Sequence, residues 1–583
     1  MDKAKLQKLA EEYLSLESHP HFRDDLEKVL RNNDLEGLND RFYTRLSFGT
    51  GGLRGIIGGG YNRINPFIIQ QASQGLANYI LKNSDHGSVV IAYDSRNYSD
   101  LFAEETARVM CANGIKVWLF SALRPTPELS FAVRTLNATA GVVITASHNP
   151  PEYNGYKVYW SDGGQIVPPN DSGIIEEVRK VGQQIKVGDS REDRQNGLLE
   201  IIDESIDSDY RRVIRECSLR PELLKREGKN LKVVYTPLHG TGGVVLPDVL
   251  GEMGVEVIPV PEQAEPDGNF PTVKYPNPEE TATMQMAIDR GRENGADLVM
   301  GTDPDADRLG VAVPDEKGNY HVLSGNRLGV LLADYIFSAR SELGTMPPKP
   351  AFVKTIVTTE LQSMVAREYG AEVFDVLTGF KYIAEKIREF EQTGHTFVFG
   401  GEESYGYLVT SQIRDKDAIS AAFITAEMTL YHRTRGKSLM QRLDEIFRTY
   451  GYFEEILVSR TFKGMEGKQA MDSLMQVLRE NSPERIGTER VRLIRDYQDG
   501  TSAERGGAKR KDIQLPSSNV LQFVLEDETI VTTRPSGTEP KIKFYASCRI
   551  PAGTNRGTAE KMAKEKLSAI ENTIDSWIAS VQK

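Results

Sequence analysis

Three aspartates at alternate positions, Asp303, Asp305 and Asp307, follow the apolar run DLVMGT in the segment GTDPDADRLG (residues 301–310). Spaced by two after a buried strand, such carboxylates point to one side and can share a hard cation. Left bare they would repel one another, so a metal or the adjacent Arg308 must balance them. A calcium loop of the EF-hand kind is excluded. Counted from Asp303, the sixth position is Arg308 where that loop needs Gly, and the twelfth is Pro314 where it needs Glu. Few ligands come from the chain, which suits a single Mg2+ completed by phosphate oxygen or water.

Three further segments carry side chains fit for chemistry. In ITASHNPPEYNGYK (residues 144–157), Ser147 stands at a strand-to-turn corner backed by two prolines, which predicts an extended and exposed hydroxyl. It is a candidate nucleophile, but the same residues also suit an ordinary serine turn, with His148 as a surface neighbour that need not bond to it. The flanking glycines of the hydrolase elbow are absent. In GGEESYG (residues 400–406), Glu402 and Ser404 among glycines suit a hydroxyl-rich ligand, or simply a solvated turn. In TTRPSGTEPKIK (residues 532–543), Arg534, Ser536, Gly537 and Thr538 offer a guanidinium fork, hydroxyls and free amides, a nest for a phosphate dianion.

Each segment follows an apolar strand. In open α/β sheets that is where ligands bind. The strands belong to a long alternation of strand-like and helix-like stretches, which predicts α/β units with largely parallel sheets. The last 130 or so residues read instead as paired strands and a final helix from about Thr558, an α+β domain. The first 45 or so residues read as short amphipathic helices with no chemistry of their own. A chain of 583 residues needs several domains. A net charge of −12 without a long basic run argues against nucleic acid, while an anionic small molecule requires only local cations. Three scattered cysteines exclude a disulfide framework or a thiolate metal site. A charged N-terminus and the absence of any apolar run near the roughly 20 residues that span a bilayer predict a cytoplasmic protein with no membrane partner.

Taken together, and in this order, TASHNP, DPDADR, GEESYG and RPSGTEP resemble the phosphoserine, metal, sugar and phosphate loops of the α-D-phosphohexomutase family, the phosphoglucomutases and phosphomannomutases. FGTGGLRG (residues 48–55) is similar to the family's first-domain cleft loop and places Arg54 there. TGFKYI (residues 378–383) is similar to the loop in which the phosphoglucomutase branch keeps a cleft lysine, here Lys381. The long N-terminal extension resembles the branch of bacterial α-phosphoglucomutases and phosphopentomutase-type enzymes.

The resemblance implies three similar α/β domains and a C-terminal α+β phosphate-binding domain around a central cleft, with boundaries at 1–205, 206–322, 323–447 and 448–583. It further implies that phosphorylated Ser147 hands its phosphoryl group to O6 of glucose 1-phosphate. The resulting glucose 1,6-bisphosphate, also the activator, turns over in the cleft and returns a phosphate from O1. Mg2+ would sit on Asp303, Asp305, Asp307 and a phosphoserine oxygen. Arg308 and Lys157 would neutralise the moving group, Arg54 and Lys157 are the acid–base candidates, and His148 orients the loop. Lys381, Glu402, Ser404, Arg534, Ser536, Gly537 and Thr538 would bind the substrate. The doubled glutamate favours a gluco substrate over a manno or pentose one. Two rivals compete: an aspartyl phosphatase, whose Asp-x-Asp-x-Thr/Val pattern is broken by Asp307, and an inactive sugar-phosphate sensor, which would have lost the nucleophile or the metal ligands.

Overall fold

A computed structural model of the chain describes residues 1–462, 464–536 and 541–581, without the side chains of residues 464–466. It divides into two compact units, residues 1–353 with 379–438, and residues 354–378 with 439–583. Among the described residues no helix is long and apolar enough to cross a membrane.

The first unit holds three sheets. In the first, β1 (Gly52–Ile56), β2 (Ser88–Tyr93), β3 (Lys116–Phe120), β4 (Ala140–Ile144), β5 (Tyr153–Trp160) and β6 (Leu199–Ile202) lie in the order β1-β5-β4-β2-β3-β6. β4, β2, β3 and β6 are mutually parallel, and runs such as VVIAY and AGVVI are the near-continuous apolar strands that burial on both faces demands. β5 and β1 are antiparallel additions at the edge. The second sheet, β11-β10-β9-β7-β8, repeats the plan. β7 (Lys232–Thr236), β8 (Glu256–Pro259) and β9 (Leu298–Thr302) are parallel, while β10 (Leu309–Pro314) and β11 (Tyr320–Val322) run antiparallel. In the third, β12 (Pro350–Thr355), which leaves this unit at Val353, neighbours β14 (Thr396–Glu402), and β15 (Gly406–Leu408) closes a hairpin with β14.

The expectation of largely parallel sheets therefore needs correcting at the edges, and the edges carry the loops of interest. TASHNPPE joins β4 to β5, DPDADR joins β9 to β10, and EESYG turns β14 into β15. The physical reason is length. Connections this short can only reverse the chain, because a parallel crossover needs a dozen residues or more.

Three N-terminal helices, Lys3–Leu16, Pro20–Arg31 and Leu35–Phe42, belong to the core of the first sheet's domain. Tyr13 meets the rings of Phe42, Tyr61 and Phe67 edge-on at 5.7–6.3 Å.

The second unit contains β13 (Glu372–Val376) and an antiparallel sheet in the order β16-β22-β21-β20-β18-β17, with β19 paired to β18. Its strands are β16 (Tyr452–Thr461), β17 (Arg485–Ile486), β18 (Glu489–Asp496), β19 (Thr501–Glu504), β20 (Leu521–Leu525), β21 (Ile530–Pro535) and β22 (Lys541–Ile550). The final helix, Arg556–Val581, buries Ala559, Ala563, Leu567, Ile570, Ile574 and Ile578, one stripe at helical spacing. Lys354 is wholly buried in this unit between Glu360 and Asp375, each 2.8 Å away. The neighbouring carbonyl of Ile356 accepts from Gln522 Nε2 at 3.0 Å.

Candidate active site

In the first unit, the hairpin loop after β4 and the hairpin loop after β9 meet. Ser147 Oγ donates to Asp303 Oδ2 at 2.7 Å, and His148 Nδ1 lies 3.1 Å from the same hydroxyl. Ser147 is neither extended nor exposed, contrary to the sequence expectation. Its φ is +52° and only 3 % of its surface is accessible. The cause is the local bonding. Its amide donates to Thr145 Oγ1 at 2.8 Å, and its carbonyl accepts from Arg96 Nη2 at 2.6 Å. Left-handed backbone at a non-glycine residue is strained and persists only where surroundings enforce it.

Arg96 does the enforcing. Its guanidinium also donates to the carbonyls of Pro150 at 2.8 Å and Tyr153 at 2.9 Å, and to that of Asn149. Arg96 is itself buried beside Asp94, with Nε 3.5 Å from Oδ2. No sequence reading singled it out. The only signal is an Asp and an Arg two apart at the C-terminal end of β2, in YDSR.

Asp303, Asp305 and Asp307 are buried, and one oxygen of each lies within 4.8 Å of the others. The loop organises itself. Asp303 Oδ1 accepts from the amides of Asp307 and Arg308, both at 3.0 Å, around Ala306 at φ +53°. Cations surround it. Lys157 Nζ is 2.7 Å from Asp305 Oδ2 and 3.2 Å from Asp307 Oδ2, and Lys416 Nζ is 3.1 Å from Asp307 Oδ2. Thr126 Oγ1 holds Asp305 Oδ2 at 2.8 Å. Asp305 Oδ1 and Asp307 Oδ1 are buried and, among the described residues, have no hydrogen-bond partner. Two orphaned carboxylate oxygens beside a third carboxylate, all on hard oxygen donors, fit a divalent cation.

The electrostatics follow from burial and crowding. Burial, reinforced by Asp305 and Asp307, pushes the Asp303 carboxyl well above the usual aspartate range. Burial also works against the charge on Asp307, but Lys416, Lys157 and Arg308 override it and hold that group below the usual range. Lys157 stays charged because Asp305 and Asp307 outweigh its desolvation. Burial, aided by Arg308 and Arg54, keeps the His148 imidazole neutral. Arg308 forms a close ion pair with Glu279.

The remaining expected residues fall as follows. Arg54 is exposed on β1, its Nη1 3.3 Å from Asn149 Oδ1 in the Ser147 loop. Lys381 Nζ donates to the carbonyl of Thr50, in the FGTGG loop, at 3.2 Å. Glu402 is buried and Ser404 half-buried in the β14–β15 hairpin. Burial lifts the Glu402 carboxyl to about 7, with Lys416 opposing and Glu403 assisting. The hairpin touches the aspartate loop directly: the amide of Leu309 donates to the carbonyl of Tyr405 at 3.1 Å. Gly325 underlies it so closely that a Cβ there would fall 2.1 Å from the carbonyl oxygen of Glu403. Lys416, from IRDKDAI, went unnoticed in the sequence because a lone lysine between aspartates reads as a solvated turn.

In the second unit, Arg534 lies on β21 opposite Lys543, and the Ser536 amide donates to the carbonyl of Lys541 at 2.7 Å. Gly537 and Thr538 lie outside the described residues. The cysteines are free, and burial raises the thiols of Cys111 and Cys548 to about 12.

With this geometry in view, the comparisons with known proteins are specific. The sequence matches the phosphoglucomutase/phosphomannomutase alpha/beta/alpha domains I, II and III over residues 45–185, 209–318 and 324–450. It is 37 % identical over 512 residues to a phosphoglucomutase of Staphylococcus haemolyticus, covering 87 % of this chain and 91 % of that one. A Staphylococcus aureus phosphoglucomutase is 36 % identical over 523 residues, 89 % and 92 % of the two chains. The fold is similar to that of pp63/parafusin, a phosphoglucomutase from Paramecium in its open form, with a TM-score of 0.67 at 17 % identity, covering 92 % and 96 % of the chains. It is likewise similar to a phosphoglucomutase/phosphomannomutase family protein from Burkholderia thailandensis, with a TM-score of 0.65 at 18 % identity over 92 % and 98 %.

Proposed function

Because the chain belongs to the phosphoglucomutase/phosphomannomutase family and is therefore a mutase, we propose that it interconverts glucose 1-phosphate and glucose 6-phosphate through a phosphorylated Ser147. The observation that carries this reading is the 2.7 Å bond from the Ser147 hydroxyl to the first aspartate of the metal-binding triad. Phosphoryl transfer asks a protein mainly for alignment and charge neutralisation, and both are built here.

Mg2+ held by Asp303, Asp305, Asp307 and a phosphoserine oxygen would supply positive charge where it builds on the transferring group. Lys157, kept charged by its aspartates, neutralises the moving phosphoryl from the other side, and Arg308 supports it. Neutral His148 fixes the direction of Ser147 Oγ and can take or return its proton. Arg54, next to Asn149, reaches the sugar side of the same loop. Glu402 and Ser404 accept the sugar hydroxyls, and Lys381 holds the rim. Arg534 and Ser536, with Gly537 and Thr538, grip the phosphate that is not reacting. Glucose 1,6-bisphosphate, formed between the half-reactions, then serves as activator. The domain boundaries expected from sequence, 1–205, 206–322, 323–447 and 448–583, fit these roles with one loop each.

The test is a side-by-side kcat/KM measurement on glucose 1-phosphate, mannose 1-phosphate and ribose 1-phosphate, each with its bisphosphate. The gluco substrate should lead by at least about tenfold, since a buried carboxyl matched to particular hydroxyls rejects an epimer that leaves it unpaired. Equal or higher values for either competitor would overturn the gluco assignment and leave the mutase chemistry standing.

A further inference from the structure

A pocket of about 500 Å3 lies in the first sheet's domain, lined by residues of the N-terminal extension, of the segment leading into β1 and of the helix Asn170–Lys180. Its lining contains Leu16, Leu46, Phe48, Phe67, Ile175 and Val178, an apolar wall interrupted by the polar side chains of Ser47, Gln71 and Gln183. Arg45 and Arg179 also line it, both exposed, and among the described residues neither pairs with a carboxylate. Of the nearby acids, Glu176 and Glu177 pair with Lys180, Glu177 also pairs with Lys82, and Glu12 accepts from Tyr61 Oη at 3.1 Å and Gln183 Nε2 at 3.3 Å. Arg45 is held in place by stacking on the Tyr61 ring, its Cζ 4.0 Å from the centroid.

Size, apolar walls and two guanidinium groups without a direct carboxylate partner among the described residues specify a ligand. We propose that this pocket is an effector site for a small amphipathic anion, an acyl- or ring-sized apolar body bearing one carboxylate or phosphate head. Inorganic phosphate would leave the apolar walls wet, and a neutral lipid chain would leave both arginines without a counter-charge.

The pocket wall continues into the catalytic framework. Phe48 sits 6.4 Å from the Tyr156 ring, centroid to centroid, and Tyr156 precedes Lys157 on β5. Leu46 packs against Gly55 so tightly that a Cβ there would come within 3.0 Å, and Gly55 follows Arg54 on β1. An occupant pressing on Leu46 and Phe48 therefore acts on the two strands that carry Arg54 and Lys157. This coupling, unlike the binding itself, rests on the function proposed above.

Isothermal titration of the full-length protein with octanoate and with octyl phosphate tests the site, and the tighter of the two identifies the head group. Saturable binding is expected for at least one. It should weaken about tenfold or more in the double variant Arg45→Gln/Arg179→Gln, which leaves the fold intact because both side chains are exposed. Octanol, lacking charge, and acetate, lacking the apolar body, should each bind at least about tenfold more weakly. Glucose 1-phosphate should not displace the probe, and the bound probe should shift the KM for glucose 1-phosphate in the wild type and not in the double variant. Absence of saturable binding, equal affinity in the double variant, or displacement by glucose 1-phosphate would overturn the site. Binding that obeys the arginine dependence without any effect on KM would overturn only the coupling.

Discussion

The Ser147 loop and the Asp303–Asp307 loop face the same task, holding a reactive side chain on a tight hairpin through a residue at φ of about +50°, and they solve it in opposite ways. The aspartate loop is organised from within: one carboxylate collects two of the loop's own amides. The serine loop is organised from without: a guanidinium from the end of a different strand collects four of its carbonyls. Self-organised turns write their cause into their own sequence. Turns held from outside leave it elsewhere in the chain.

The largest effect should come from deleting the group that the external clamp presents. Ser147→Ala removes the proposed phosphoryl carrier and should cut turnover by at least ~10³-fold while substrate binding survives. Intact-mass spectrometry of the wild type should find a fraction heavier by one phosphate on Ser147. A label on an aspartate would instead favour the phosphatase reading.

The internally organised loop should be damaged next most. Asp305→Asn removes a charge from the proposed metal site and weakens the hold on Lys157, so kcat should fall about a hundredfold, with a higher Mg2+ concentration needed for half-maximal activity in a metal titration. Chelation should abolish wild-type activity and Mg2+ restore it. Full activity in excess chelator would remove the metal from the mechanism.

Breaking the clamp itself sharpens the contrast. Arg96→Met should lower kcat on the order of 10- to 100-fold with KM little changed, because Ser147 is displaced and the sugar contacts remain. It should also cost about 3–5 kcal/mol in denaturant unfolding, since Asp94 is left buried without its cation. A variant that is unstable but turns over normally would confine Arg96 to the fold.

The smallest effect concerns Glu402, which faces Lys416, Glu403, Arg308 and Asp307. Its carboxyl is raised from the usual glutamate value of 4.5 to about 7, chiefly by burial. The folded state thus binds this proton more tightly than the unfolded chain. The stabilisation is complete below about pH 4.5 and is lost as pH rises through about 7, by up to roughly 3 kcal/mol. Glu402→Gln should flatten that part of the stability–pH curve, and an unchanged slope would show that the group is ionised in the folded state.

The same contrast explains what could be read from the sequence. Asp303, Asp305 and Asp307 were legible because their spacing is itself the geometry. The α/β alternation was legible because apolar strands and amphipathic helices have different periods, although the antiparallel edges required noticing how short the connections are. Ser147 was found, but its backbone was misjudged, because the prolines that follow are visible and Arg96, 51 positions earlier, is not adjacent to anything that suggests it. Lys416 and Thr126 reach Asp307 and Asp305 from other domains of the first unit, and local pattern carries no information about such meetings.

The division of the second unit into residues 354–378 and 439–583 also has a consequence for the order of synthesis. The earlier piece leaves the ribosome with its own partners for Lys354, since Glu360 and Asp375 lie within it. The glutamine that caps its Ile356 carbonyl, Gln522, belongs to a strand made much later. At about 5–20 residues per second that wait is on the order of ten seconds or more. During it, the Ile356 carbonyl has no Gln522 to accept from, so this one contact of the second unit forms only after its C-terminal strands have been made.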